Sequence, residues 1–150
     1  MESSVKIDLD LSGLNEVYSA CQELSKKVHV GVLNNPQAAM KAFQTEYGWI
    51  TLQGKIVPPR STTQLPLDVK NEEIQDKALS KLTSFTPDVS RETIEELGRQ
   101  SVYAIEDAFA TKGYGMWKNN APWTIAVKGR NEPEVDTGEL SDSYSYEVQE

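Results

Sequence analysis

Residues 86–113 read TPDVSRETIEELGRQSVYAIEDAFATKG, and this stretch decides the fold. Thr86-Pro87-Asp88 is a helix start: a hydroxyl to cap, a proline at the first helical position and an acid in the first turn. Ile94, Leu97, Ser101, Ile105 and Ala108 then recur at helical spacing, and Val102 and Phe109 widen the stripe. Gly113 ends it. This is the longest helix the sequence predicts and the main packing element of an α+β domain. The expected architecture is a mostly antiparallel sheet packed by two or more helices, with a long loop before the C-terminal strand.

Upstream, Val5, Ile7, Leu9 and Leu11 alternate with Lys6, Asp8 and Asp10, the period of a half-buried strand. Ser12 then caps a predicted helix whose apolar face carries Leu14, Val17, Tyr18, Cys21 and Leu24. Val28, Val30 and Val32 predict a second strand. Asn35-Pro36 reads as N-cap and first position of a short helix, with Ala39, Ala42, Phe43 and Tyr47 inward and Gly48 as its stop. Ile50 to Val57 reads as extended, a hairpin about Gln53-Gly54, ended by Pro58-Pro59. Residues 58–66 (PPRSTTQLP) read as a loop, and a third helix is predicted over 68–82 with Ile74, Ala78, Leu82 and Phe85 inward.

Downstream of the main helix, residues 111–130 show no period and are rich in Gly, Asn and Trp. A connection of that length is usually functional. It holds four bases and no acids, whereas residues 131–150 hold seven acids and no bases. Tyr144, Tyr146 and Val148 alternate with Ser143, Ser145 and Glu147 as a last strand.

The bulk numbers bound the function. One domain of 150 residues buries enough surface to fold without disulfides or metals. Hydrophobic content of 38% is low for a compact monomer, so loops take much of the chain or a partner completes the fold. A net charge of −8 disfavours phosphate backbones and anionic membranes, yet would let DNA pass through a lumen without sticking. Cys21 is the single cysteine and reads as a small buried hydrophobe. Neither a signal peptide nor a transmembrane run is visible.

Little here points to catalysis, a cofactor or a metal. His29 is the one histidine and reads as a surface or edge residue. Glu95-Glu96 and Glu106-Asp107 are helix neighbours that point about 100° apart and read as solvated faces. Lys112-Gly-Tyr-Gly lacks the strand and spacing of a phosphate-binding loop. Asp136-Thr137-Gly138 is the aspartic-protease tripeptide in a single copy and reads better as a turn. Trp117 and Trp123 flank Lys118, Asn119 and Asn120; interleaved bases and aromatics suit single-stranded nucleic acid or a protein interface, and the overall acidity favours the interface.

One resemblance emerges from these residues. Trp117-Lys-Asn-Asn120, Thr124, Lys128-Gly129, then Pro133-Glu-Val-Asp136-Thr-Gly-Glu-Leu140 with Ser143 after it, resembles the tail-completion, or head–tail joining, family of long-tailed bacteriophages. Glu46-Tyr-Gly48 and Val57-Pro-Pro-Arg60 are an upstream echo, where the family places Glu-x-Gly and Ile-Pro-x-Arg-Pro-Phe. The match runs in order over about the second two-thirds of the chain. Glu134 stands where an apolar residue is usual, and Ser61-Thr62 where Pro-Phe is usual.

The resemblance implies a structural virion protein, not an enzyme. Such proteins form a ring, commonly sixfold, between the tail tube or its terminator and the head connector, assembled in the bacterial host cytoplasm, with DNA crossing the lumen. The expected contact residues are Arg60, Trp117, Lys118, Asn120, Trp123, Thr124, Lys128, Arg130, Asp136, Thr137, Gly138 and Leu140. In a head-to-tail ring the basic 111–130 loop would face the acidic 131–150 end of a neighbour, or an acidic connector. Rival expectations are a tail terminator of the same neck, an acidic inhibitor or nucleic-acid mimic, and a small hydrolase using Asp136.

Overall fold

The structure, a computed structural model, describes residues 4–129 and 138–150. Its centre is the predicted long helix. The Thr86 hydroxyl accepts from Val89 N, Pro87 occupies the first turn, and the helix runs Pro87–Ala110. Counting along the chain, this is α5. It follows α1 (Ser12–Leu24), β1 (Lys27–Gly31), α2 (Pro36–Tyr47), a hairpin of β2 (Trp49–Ile50) and β3 (Ile56–Val57), α3 (Gln64–Val69) and α4 (Asn71–Leu79). After it come α6 (Pro122–Lys128), α7 (Glu139–Asp142) and β4 (Ser145–Gln149).

The class is α+β, with helices dominant over two antiparallel two-stranded sheets. β1 pairs with β4, Lys27 opposite Gln149 and Gly31 opposite Ser145. The helix α5 is covered by α1, α4 and this sheet, which explains why Ser90, Thr93, Ile94, Gly98, Ser101, Ala104, Ile105, Ala108 and Phe109 are all buried, more than one stripe. Buried hydroxyls on that surface bond back to the helix: Thr93 Oγ1 donates to Val89 O at 2.8 Å and Ser101 Oγ to Leu97 O at 2.7 Å. The sheet comes close because Gly98 has no side chain. A Cβ there would lie 2.2 Å from the Tyr146 ring, whose hydroxyl donates to Glu95 Oε2 at 2.8 Å.

At the C-terminal end of α5 the main apolar cluster gathers Ala38, Ile105, Ala108, Phe109, Trp117, Leu140 and Tyr144. Phe109 meets Trp117 edge-to-face with ring centroids 5.3 Å apart, a favoured aromatic geometry. The chain reaches this packing through a left-handed turn. Lys112, Gly113, Tyr114 and Gly115 all have positive φ, between 55° and 78°. Gly113 is required twice over, by that backbone and because a Cβ would lie 2.3 Å from the Trp117 ring. The Lys112-Gly-Tyr-Gly motif thus aims a tryptophan inward.

Several expectations are corrected. Residues 5–11 form no strand and lie exposed. In α1 only Ala20 is buried, while Leu14, Val17, Tyr18 and Cys21 face solvent. The small side chain at Ala20 sets which face meets α5, so the bulkier stripe points away. The same shift occurs in α2, where Ala38 and Thr45 are buried and Phe43 and Tyr47 exposed. The predicted 68–82 helix is two, broken at Lys70 and starting earlier, because Pro66 sits within the first turn of α3, where its missing N–H is not needed. Ile74 and Ala78 are buried as expected, but Phe85 is exposed. The 111–130 loop contains α6, opened by Pro122 and stopped by Gly129 at φ 72°, too short to show a period. Glu95 and Glu96 are half-buried rather than solvated; Glu96 pairs with Arg99, which holds its carboxyl below the usual range.

Candidate functional site

Thr45 and Glu46 close α2, and the segment 60–64 lies against them. Arg60 N donates to Thr45 O at 2.7 Å. The Glu46 carboxylate accepts from Ser61 Oγ at 2.7 Å, Thr62 N at 2.8 Å, Thr63 N at 2.9 Å and Gln64 N at 3.3 Å. Thr63 N and Gln64 N are among the orphan donors at the start of α3, whose N-cap residue Thr63 makes no side-chain cap, and Leu65 N donates to Ser61 Oγ at 2.8 Å. Glu46 of α2 and Ser61 share the capping of α3.

The turn after α5 grips the same segment from the other side. Arg60 is buried, and its Nε donates to Lys118 O at 2.9 Å and its Nη2 to Asn119 O at 3.3 Å. Trp117 Nε1 donates to Ser61 O at 2.9 Å. A third grip comes from just before β4, where Tyr144 OH lies 2.7 Å from Thr62 Oγ1 and 3.1 Å from Thr63 Oγ1. Three regions far apart in sequence therefore converge on five residues. A buried guanidinium or hydroxyl costs free energy unless it is so partnered.

Of the twelve expected contact residues, Arg60, Trp117 and Leu140 are buried in this clamp and the cluster beneath it, so their side chains serve the chain's own packing. Lys118 is exposed, lending only its carbonyl, and Asn120 is half-buried. Trp123 is 75% exposed, beside the equally uncovered Val127 one turn on along α6. Thr124 and Lys128 belong to α6 as well. Gly138, at φ 79°, leads into α7, the unusual φ expected of it. Arg130, Asp136 and Thr137 lie outside the described residues. His29 is exposed as expected, its Nδ1 3.8 Å from Glu147 Oε1.

What the residue-by-residue reading missed is the apolar surface. Among the described residues, twenty-one large apolar side chains are exposed, whereas only seven are buried once the alanines are set aside. Two groups stand apart. One is Val5 to Tyr18, covering the extended segment and the outer face of α1. The other is Phe43 and Tyr47 of α2, rings 4.9 Å apart, with Ile50, Leu52 and Ile56 of the hairpin. A signal for both was present, in the period-two run and the apolar stripes, but each was assigned inward.

No helix among the described residues is long and apolar enough to cross a membrane, and no three of their acid, histidine or cysteine side chains are grouped so as to hold a metal ion. No protein-family model, curated protein or solved structure matches the chain.

Proposed function

We propose that this chain is a structural subunit of the neck of a long-tailed bacteriophage, completing the tail and joining it to the head connector as a ring around the DNA. The observation that carries the reading is the clamp. The two sequence blocks that resemble the tail-completion family, 46–60 and 117–140, lie far apart in the chain, yet Glu46, Arg60 and Trp117 meet around one short loop. They behave as a single device that sets the relation between the hairpin and the C-terminal region. The uncovered apolar surface supports assembly, since exposed patches of this kind mark interaction sites. Its division into two separate groups suits a head-to-tail contact, which uses different patches on each copy.

Native mass spectrometry of the purified protein, alone and with tail tubes, at low and moderate salt, tests this. A ring, or a monomer that becomes one on tubes, is the expected result. A monomer indifferent to tubes at every salt overturns it.

A further inference from the structure

Residues 5–11 have the pattern of a strand and, among the described residues, no strand to pair with. Val5, Ile7 and Leu9 are 84%, 75% and 77% exposed, and the segment belongs to no element. The β1–β4 sheet has the complementary deficiency. Among the described residues each of its strands pairs only with the other, so β1 keeps one edge without a strand. Two strands are marginal, and an unpaired edge is a template for a third. Beside β1 lies an open groove of about 470 Å³, running from Val30 and Gly31 to Phe43, Tyr47 and Leu67, with Glu46 and Asp68 also on its wall.

We infer that residues 5–11 of one copy add as a third strand to the β1 edge of a second copy and fill this groove. The inference rests on the ring reading above and names its joint. Period two puts Val5, Ile7, Leu9 and Leu11 on one face of the added strand, where they cover the uncovered Phe43–Tyr47 pair. The other face carries Lys6, Asp8 and Asp10, a net acidic set, and lies level with Lys27 and His29, the exposed residues of β1. The same acids on the edge of β4 would meet Glu147, which selects β1.

The segment's own sheet is a poor acceptor. Leu11 runs straight into α1, with Asp10 Oδ1 accepting from Ser12 N at 3.0 Å. No connecting residues remain to turn the strand back, where about two to six are usual. Donor and acceptor are different surfaces, so the joint is head-to-tail and repeats from copy to copy. Backbone bonds give such a joint its affinity and alternate side chains its register.

The test is disulfide capture in the full chain with Cys21→Ser. One preparation carries Ile7→Cys and another Phe43→Cys, and they are mixed under mild oxidation. A linked pair that forms on mixing supports the strand exchange. A closed monomer in the Ile7→Cys/Phe43→Cys chain, with no pair on mixing, overturns it in favour of the segment's own groove. An oligomer by native mass spectrometry without any link overturns the exchange and leaves the ring reading standing; no link and no oligomer, with or without tail tubes, overturns both. Leu9→Asp, at an exposed site, should weaken assembly about tenfold or more with an unchanged melting curve for the monomer. Unchanged assembly in that variant counts against the exchange.

Discussion

The clamp and the groove beside it share one helix and use it in opposite ways. One side of α2 presents Thr45 and Glu46, small or polar residues with nearly every described polar atom engaged inside the chain. Another side presents Phe43 and Tyr47, large and apolar, with no cover. Hydrophobicity alone would have put the aromatics inside. Polar satisfaction decided otherwise: once Glu46 caps α3 and Thr45 O accepts from Arg60 N, the rotation of α2 is fixed and its aromatic side has to face out.

The sharpest way to break this contrast is Trp117→Ala. It removes the indole bond to Ser61 O and opens a cavity beside Phe109, so stability to urea should fall by about 3–5 kcal/mol. A loss below about 1 kcal/mol would mean that the clamp does not hold the fold together. Next is Glu46→Ala, which strips the acceptor from the first turn of α3. The expected loss is about 1–3 kcal/mol, with amide exchange rising at Thr62 and Thr63 before it rises in α5.

A smaller effect concerns Tyr114, whose hydroxyl donates to Ala104 O at 2.7 Å. Burial, then the nearby Asp107 and Glu73 carboxylates, push its pKa up from 10 to about 12. The folded state therefore keeps a proton that the unfolded chain releases. Its contribution is complete below pH 10 and is lost as pH rises through 12. Melting temperature should drop over that window, and Tyr114→Phe should flatten the drop; equal slopes for both proteins would refute the assignment. Least of all, Phe43→Ser should change the stability of a dilute monomer by no more than about 0.5 kcal/mol while weakening assembly. A large loss of monomer stability would place Phe43 in the core and dissolve the contrast.

Much of the fold was legible in the sequence because its signals are local. Thr86-Pro87 and Asn35-Pro36 mark helix starts through bonds to near neighbours, Gly48 ends a helix through its positive φ, and Gln53-Gly54 marks a turn. The strands at 28–32 and 144–148 announced themselves by alternation, although their pairing did not. The clamp was illegible because it joins residues 15 to 82 positions apart, some through side-chain pairs such as Ser61–Glu46 and Thr62–Tyr144 and others through backbone groups, which carry no side-chain signature. Arg60 and Trp117 were found, but as surface contacts, since the resemblance marks which residues matter and not which way they point. The strand at 5–11 shows the opposite failure. Its alternation states that one face avoids water and is silent on which chain supplies the cover.

The order of synthesis gives the clamp one more consequence. Residues 60–64 emerge from the ribosome well before Trp117, Lys118 and Tyr144 are made. Until then Glu46 can cap α3, but the buried side of the loop lacks its later partners, and closing so long a loop carries its own entropic cost. A nascent chain thus holds α2 only loosely, and the groove beside β1 takes its final shape after β4 has been translated and paired. If the inferred strand exchange takes place, a chain still lacking β4 would be a poor acceptor, and assembly would wait on the folding of the acceptor.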